Sequence, residues 1–236
     1  MNKKILLVIP VYNEKKILVE SIKKLENYLT ENIIEDWIII IANNASTDKT
    51  KEIAEELTKK HSKIKAIHLA EKGRGNALKY VWTNFKADIY AYCDVDLATD
   101  ISNLKNLFDS MLEGNNIVIG SRYLKDSKTK RAIGRLILSK VYIFLIKIFF
   151  KTKLNDFQCG FKAIDNKIVK EVLPLVQDKE WFFDTELLLL AEKGGYKIKE
   201  IPVKWQENQE TKVKFIKTIL QYLKNLIKYK LNNDKK

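Results

Sequence analysis

From Lys4 to Gly120 the sequence alternates short apolar runs with longer amphipathic stretches, and this rhythm constrains the fold more than any single residue. Lys4 to Pro10, Trp37 to Ala42, Ile64 to Leu69, Asp88 to Cys93 and Ile117 to Gly120 read as strands, because β-branched and aromatic residues cluster in short runs bounded by polar turns. Between them, Glu14 to Leu29, a segment capped by Ser46 or Thr47 and ending near Lys60, Asn76 to Phe85, and Ile101 to Leu112 read as helices. Such an alternation predicts an α/β fold, a Rossmann-like and mostly parallel sheet with right-handed crossovers and flanking helices. After residue 124 the rhythm breaks. Ile198 to Val203 is one late strand, and the rest reads as helix or loop.

The chain has 236 residues, enough for one α/β domain with an appendage. The expected division is a domain over residues 1–205, including an acceptor or interface helix within 124–165, and a basic amphipathic helix over 206–236. A hydrophobic content of 46% with eight Gly and three Pro excludes a disordered or low-complexity chain. Cys93 and Cys159 have neither metal-ligand spacing nor a disulfide framework, which points to a reducing compartment. The apolar run Ile5 to Val11 follows Lys3-Lys4, yet it is short and lacks a small-residue cleavage site, so it reads as a first strand rather than a signal peptide.

The net charge of +13 is concentrated. Residues 125–153 hold nine Lys/Arg against one Asp, and residues 212–236 hold eight Lys against one Asp, so these two segments exceed the whole net charge. Both are also apolar. Leu136 to Phe150 is rich in large hydrophobes but is interrupted by Lys140 and Lys147, too short and too charged to span a bilayer. In the tail Phe215, Ile216, Ile219, Leu220, Leu223, Leu226 and Ile227 recur at helical spacing among Lys217, Lys224 and Lys228. Amphipathic helices of this kind lie in an anionic membrane interface, or else pack on the domain with their lysines solvated. Nucleic acid is not expected as a partner: no zinc spacing, RNA-binding aromatic signature or helix-turn-helix pattern accompanies the charge.

The strand at Asp88 to Cys93 runs directly into Asp94-Val95-Asp96. Ligands of open α/β sheets bind beyond the carboxyl ends of strands, so the placement matters as much as the residues. Two close carboxylates repel and are costly to desolvate unless a cation joins them. Oxygen ligands of this kind suit Mg²⁺ or Mn²⁺, with a diphosphate completing the coordination. An isolated Asp-x-Asp is more often a solvated acidic turn; the surrounding motifs decide the matter.

Val8-Ile-Pro-Val-Tyr-Asn-Glu14, the Asn44 to Thr50 loop, Lys72-Gly-Arg-Gly-Asn-Ala-Leu78, Asp94-Val-Asp96 and Gly120-Ser-Arg-Tyr123 resemble the ordered motifs of family 2 glycosyltransferases with the GT-A fold. Asp156-Phe-Gln-Cys-Gly-Phe-Lys162, Trp181-Phe-Phe-Asp-Thr-Glu-Leu187 and Glu200-Ile-Pro-Val203 resemble the polyprenyl-phosphate sugar synthases, the dolichyl-phosphate mannose and glucose synthase group. The resemblance runs from about residue 4 to 205. It implies an inverting hexosyltransferase that moves a sugar from a nucleotide sugar, UDP-glucose or GDP-mannose, to a polyprenyl phosphate. It further implies a peripheral location on the cytoplasmic face of a membrane.

By this similarity Pro10, Tyr12, Glu14 and Asn44, with Lys72, Asp94 and Val95, form the nucleotide site, and Asp94 and Asp96 hold the metal. Tyr12 offers a flat face to a nucleobase, and Glu14 could accept a hydrogen bond from ribose or base. Asn43-Asn44-Ala45 stands where the family usually has Asp-Asp-Gly; an Asn amide both donates and accepts, so it can still pair with a uracil or guanine edge. Gly73 and Gly75 permit close backbone approach to a ligand. Arg122, Arg131 and Arg135 are expected at the acceptor phosphate, with Arg122 and Arg135 joining the two aspartates as catalytic candidates. A lipid phosphate arrives ionised and needs no general base. Were the acceptor a saccharide hydroxyl, Asp184 would be the natural base. A non-catalytic membrane-binding module is the alternative of another class. His61 and His68 have no plausible triad partner.

Overall fold

The computed structural model describes residues 3–207, 224–226 and 229–230. In chain order the elements are β1 (Lys4–Val11), α1 (Leu18–Asn32), β2 (Asp36–Asn44), α2 (Thr50–Lys60), β3 (Ile64–Leu69), α3 (Arg74–Asn84), β4 (Ile89–Cys93) and α4 (Asn103–Leu112). Then follow β5 (Ile117–Ser121), β6 (Lys128–Lys130), α5 (Ile133–Phe150), β7 (Phe161–Asp165), α6 (Asn166–Glu171), a 3₁₀ turn, α7 (Phe183–Lys193), β8 (Ile198–Pro202) and β9 (Lys204–Gln206).

Seven strands form one sheet in the order β3-β2-β1-β4-β7-β5-β8, and β6 pairs with β9 in a separate ribbon. The ladders are parallel except where β7 runs antiparallel between β4 and β5. That inserted strand is the principal feature the alternation did not reveal. Lys162, its second residue, breaks the apolar pattern by which a buried strand is recognised.

Side chains of β1 alternate between two cores: Ile5, Leu7, Ile9 and Val11 face α1, α2 and α4, while Leu6 and Val8 face α3, α5 and α7. Helices on both faces explain why the strand is apolar at every position from Ile5 to Val11 instead of at every second one. The same holds for β4, where all five residues are buried. Because β1, β2, β4 and β5 point the same way, Pro10, Asn44, Asp94 and Arg122 all emerge at one edge of the sheet. The amino end of antiparallel β7 returns to that edge, which brings Asp156 and Gly160 beside them.

Ser46 and Thr47 do not cap α2, which begins at Thr50 without a side-chain cap on Lys49. Instead they stitch two loops together. Asn13 Oδ1 accepts from the Thr47 N–H at 2.8 Å, and the Asn13 N–H donates to Ser46 Oγ at 3.0 Å. The basic tail helix expected over 206–236 lies largely outside the described residues. Within 224–226 and 229–230, which are helical, Leu226 is fully buried in the core beside α5 and α7.

Candidate active site

The acid pair sits where the sequence puts it, at the carboxyl end of β4. Asp96 is exposed, and its Oδ1 accepts from the Ala98 N–H at 3.1 Å. Leu97 holds a left-handed backbone, φ 50°, uncommon for a branched residue and characteristic of functional turns. The Asp94 N–H donates to the Gly160 carbonyl at 3.1 Å. A Cβ on Gly160 would fall 1.8 Å from Asp94 Oδ2, so only glycine leaves room for this carboxylate. The Asp94 side chain is 43% exposed, yet the surrounding protein desolvates it and its carboxyl pKa is raised. Asp96 and Asp184 add to the rise, while Arg74 and Lys162 oppose it.

Behind Asp94 lies a buried polar cluster that sequence reasoning did not assemble. Arg74 Nη2 donates to the Tyr92 hydroxyl at 2.7 Å and lies 3.2 Å from Asp184 Oδ2 and 3.6 Å from Asp94 Oδ1. The Tyr92 hydroxyl donates to Asp184 Oδ1 at 2.5 Å, and Lys162 Nζ lies 3.2 Å from that same oxygen. Lys162 is completely buried and also donates to the Cys159 carbonyl at 2.6 Å. The exposed Trp181 ring covers the Arg74 guanidinium at 5.0 Å. Lys162 was the available signal: a lysine inside an otherwise apolar strand needs a buried counter-charge.

Gly73 and Gly75 serve packing within the protein. Cβ atoms there would lie 2.6 Å from the Lys179 carbonyl and 2.6 Å from Phe183, so the close approach is to α7 and the loop before it. Among the nucleotide candidates, Pro10, Tyr12 and Glu14 are partly exposed at the end of β1, and Val95 is buried. The Lys72 ammonium contacts the Tyr12 hydroxyl and sits 4.2 Å from its ring centroid, so one face of Tyr12 carries a cation. Asn44 is 8% exposed, and its Oδ1 has no hydrogen-bond partner among the described residues. Asn43 is engaged instead with His68 Nδ1 at 3.1 Å, and His61 pairs with Glu26 at 2.7 Å.

The three arginines separate. Arg122 was expected to present its planar fork to a phosphate, but the fork is occupied by Asp156, with Nε at 2.7 Å and Nη2 at 2.9 Å from the two carboxylate oxygens. Burial opposes both charges, yet each partner holds the other ionised: the Asp156 pKa falls and that of Arg122 rises. Arg135 pairs with Glu207 Oε1 at 2.5 Å. Arg131 donates to the Tyr123 hydroxyl at 2.9 Å, and its buried Nε lacks a partner among the described residues. Arg122 and Arg131 both approach the Trp205 ring, at 5.4 and 5.6 Å. Burial and the nearby Arg122 charge lower the pKa of Arg131.

Comparison with known proteins places this geometry. AglD of Haloferax volcanii, a glycosyltransferase, is 33% identical over 219 residues, an alignment covering 90% of this chain and 35% of that protein. The dolichyl-phosphate beta-glucosyltransferase ALG5A of Trichomonas vaginalis is 32% identical over 232 residues, covering 94% of this chain and 71% of that one. The chain thus spans about a third of the Haloferax protein and about seven tenths of the Trichomonas one. Among solved structures, glucosyl-3-phosphoglycerate synthase from Mycobacterium tuberculosis, determined with Mn²⁺ and UDP-glucose, superposes with a TM-score of 0.67 at 15% identity, covering 97% of this chain and 79% of that one. The model of glycosyl transferase family 2 matches residues 6–173, and the chain belongs to that family.

Proposed function

We propose that the protein transfers glucose from UDP-glucose to the phosphate of a dolichyl-type polyprenyl lipid, with inversion at the anomeric carbon. The observation that carries this reading is the alignment of nearly the whole chain with relatives named dolichyl-phosphate beta-glucosyltransferase. Asn44 suits a uridine donor. Its unpartnered Oδ1 and its amide N–H₂ match the N3–H and carbonyl of uracil, and the same pair would also fit guanine, so the choice of uridine rests on the relatives.

Asp94 and Asp96 fit a hard divalent cation. They are oxygen donors at a strand end, and Gly160 is cut away around one of them. A cation held there by two carboxylates would take the rest of its shell from the donor diphosphate and water. Bound there, Mg²⁺ or Mn²⁺ would neutralise the leaving diphosphate. The chain's own residues do the rest. Pro10, Tyr12, Glu14, Asn44, Lys72 and Val95 surround the nucleotide, and Arg131, held by the Tyr123 hydroxyl, contributes its charge at the acceptor phosphate. Arg122 acts through Asp156, fixing the loop before β7, and Arg135 through Glu207, which accepts from the Ala132 N–H at the start of α5.

A lipid phosphate is deprotonated on arrival, so the attack requires placement rather than a base. Asp184 agrees with this, since it is 2% exposed and both its oxygens are engaged. The exposed side of α5 supports a peripheral seat on an anionic membrane, as argued below. We assign the cytoplasmic face, in keeping with two unbridged cysteines.

The deciding experiment incubates purified protein and Mn²⁺ with labelled nucleotide sugars and dolichyl or undecaprenyl phosphate. Glucose should pass from UDP-glucose to the lipid phosphate, and EDTA or Asp96→Ala should abolish transfer without unfolding the protein. Transfer confined to a saccharide hydroxyl, and lost in Asp184→Asn, would overturn the lipid reading.

A further inference from the structure

A lysine with no exposed surface on an interior strand of a seven-stranded sheet is unfavourable for the fold. An apolar residue would pack there without desolvating a charge. The antiparallel register sets Lys162 opposite Tyr92, two residues before Asp94, so this cost is incurred directly beneath the acid pair. The cluster is charge-balanced: Arg74 and Lys162 face Asp94 and Asp184. Its centre is one atom, Arg74 Nη2, which lies between two carboxylates at 3.2 and 3.6 Å. Asp184 is sealed in, whereas Asp94 opens to the cleft.

We infer that Arg74 is a counter-ion shared between Asp94 and Asp184, a positioning residue that neutralises Asp94 until a divalent cation takes its place, and that Lys162 sets how far Arg74 leans toward each. This inference rests on the assignment of Asp94 and Asp96 as the metal ligands. When a cation binds Asp94, Arg74 does not have to leave the site; Asp184 and the Tyr92 hydroxyl already hold it on the other side. The two-sided arrangement lets the acid pair alternate between arginine and metal without leaving a buried charge bare, the most costly state for such a site. The Trp181 ring, 5.0 Å from the guanidinium, packs against its outer side.

The signs of the consequences are opposed for two neighbouring residues. Removing the Lys162 charge leaves Asp184 dependent on Arg74, which draws the guanidinium from Asp94 and frees that carboxylate for metal. Neutralising Asp184 leaves Arg74 with Asp94 alone and blocks it. The test is the Mn²⁺ affinity of the full-length protein without nucleotide, measured by electron paramagnetic resonance of free Mn²⁺, with thermal unfolding to verify folding. Lys162→Met should bind Mn²⁺ more tightly by several-fold, Asp184→Asn about tenfold more weakly, and Arg74→Gln more tightly than wild type. A simple through-space field would give the same signs for the first two, so the cycle is closed in the Arg74→Gln background. There the Lys162 and Asp184 substitutions should each move the affinity by no more than about twofold. Shifts that persist undiminished in that background would overturn the inference, as would single variants that leave the affinity unchanged. If Lys162→Met does not fold, the Asp184→Asn and Arg74→Gln cycle decides alone. Wild-type protein that binds no Mn²⁺ and transfers sugar in EDTA would instead remove the metal assignment, and this inference with it.

Discussion

Asp156 shows how one buried side chain can tie two parts of the sheet together. Its carboxylate takes both arms of Arg122 and the N–H groups of Gln158 and Cys159, tying the end of β5 to the loop that enters β7. Removing one partner of a buried pair leaves the other uncompensated, so Asp156→Asn should cost about 3–5 kcal/mol. The pair also sets an acid limit. The folded pKa of Asp156 lies below its unfolded value of about 3.9, so its contribution is complete above that pH and is lost as pH falls through the folded pKa. Urea midpoints measured between about pH 5 and pH 2 should fall less steeply in Asp156→Asn than in wild type. Equal slopes would mean that the pair is not what acid breaks.

At the scale of elements, legibility followed the hydrophobic period. The strands β1 to β5 and α1 to α5 were readable because their apolar residues form runs or stripes, and the helix expected over 136–150 is present as α5, begun three residues earlier at Ile133. β7 was not readable: its sequence Phe-Lys-Ala-Ile-Asp hides a buried lysine whose partners come from β4, α7 and the loop before β7. Asp94 and Asp96 were legible as a motif, while the Arg122–Asp156 pair was not, since 34 residues and a sheet crossing separate its members. The tail was half legible. Its apolar spacing suits either an interfacial face or packing on the domain, and its described residues pack: Leu226 is fully buried, the Tyr229 ring lies tilted against Phe150 and Phe182, and Asn225 donates to Asp178 at 3.1 Å. Asp178 in turn accepts from the Glu180 and Phe183 N–H groups in the loop that carries Trp181. Those tail residues therefore brace the loop that carries Trp181. Leu226→Ala should lower stability by about 2–5 kcal/mol in urea melts; a change below about 0.5 kcal/mol would return this part of the tail to the surface.

For the molecule as a whole, the open question is what the apolar side of α5 meets. Ile133, Ile137, Val141, Phe144 and Ile148 are each at least half exposed and recur in steps of four, four, three and four, one continuous stripe along the helix. Single exposed hydrophobes need no explanation, but a stripe of five does. Among the described residues no helix is long and apolar enough to cross a membrane. We propose that the exposed stripe inserts shallowly into a membrane surface. Exposed Lys128, Lys130 and Lys204 in the β6–β9 ribbon adjoin its amino end. Each such lysine near an anionic surface contributes about 1 kcal/mol, decaying within about a Debye length. Arg131 and Arg135 stand where the ribbon meets the helix, so a lipid whose tail follows the stripe would bring its phosphate to them. Carboxylates introduced into the stripe would oppose both terms at once. The double variant Ile137→Asp/Phe144→Asp should lose co-sedimentation with phosphatidylserine vesicles, and high salt should weaken binding of the wild type. Turnover of a short, water-soluble isoprenyl phosphate should stay within about twofold of wild type, because neither side chain contributes to the core. Undiminished vesicle binding by the double variant would move the anchor from α5 to the basic segment at 212–236.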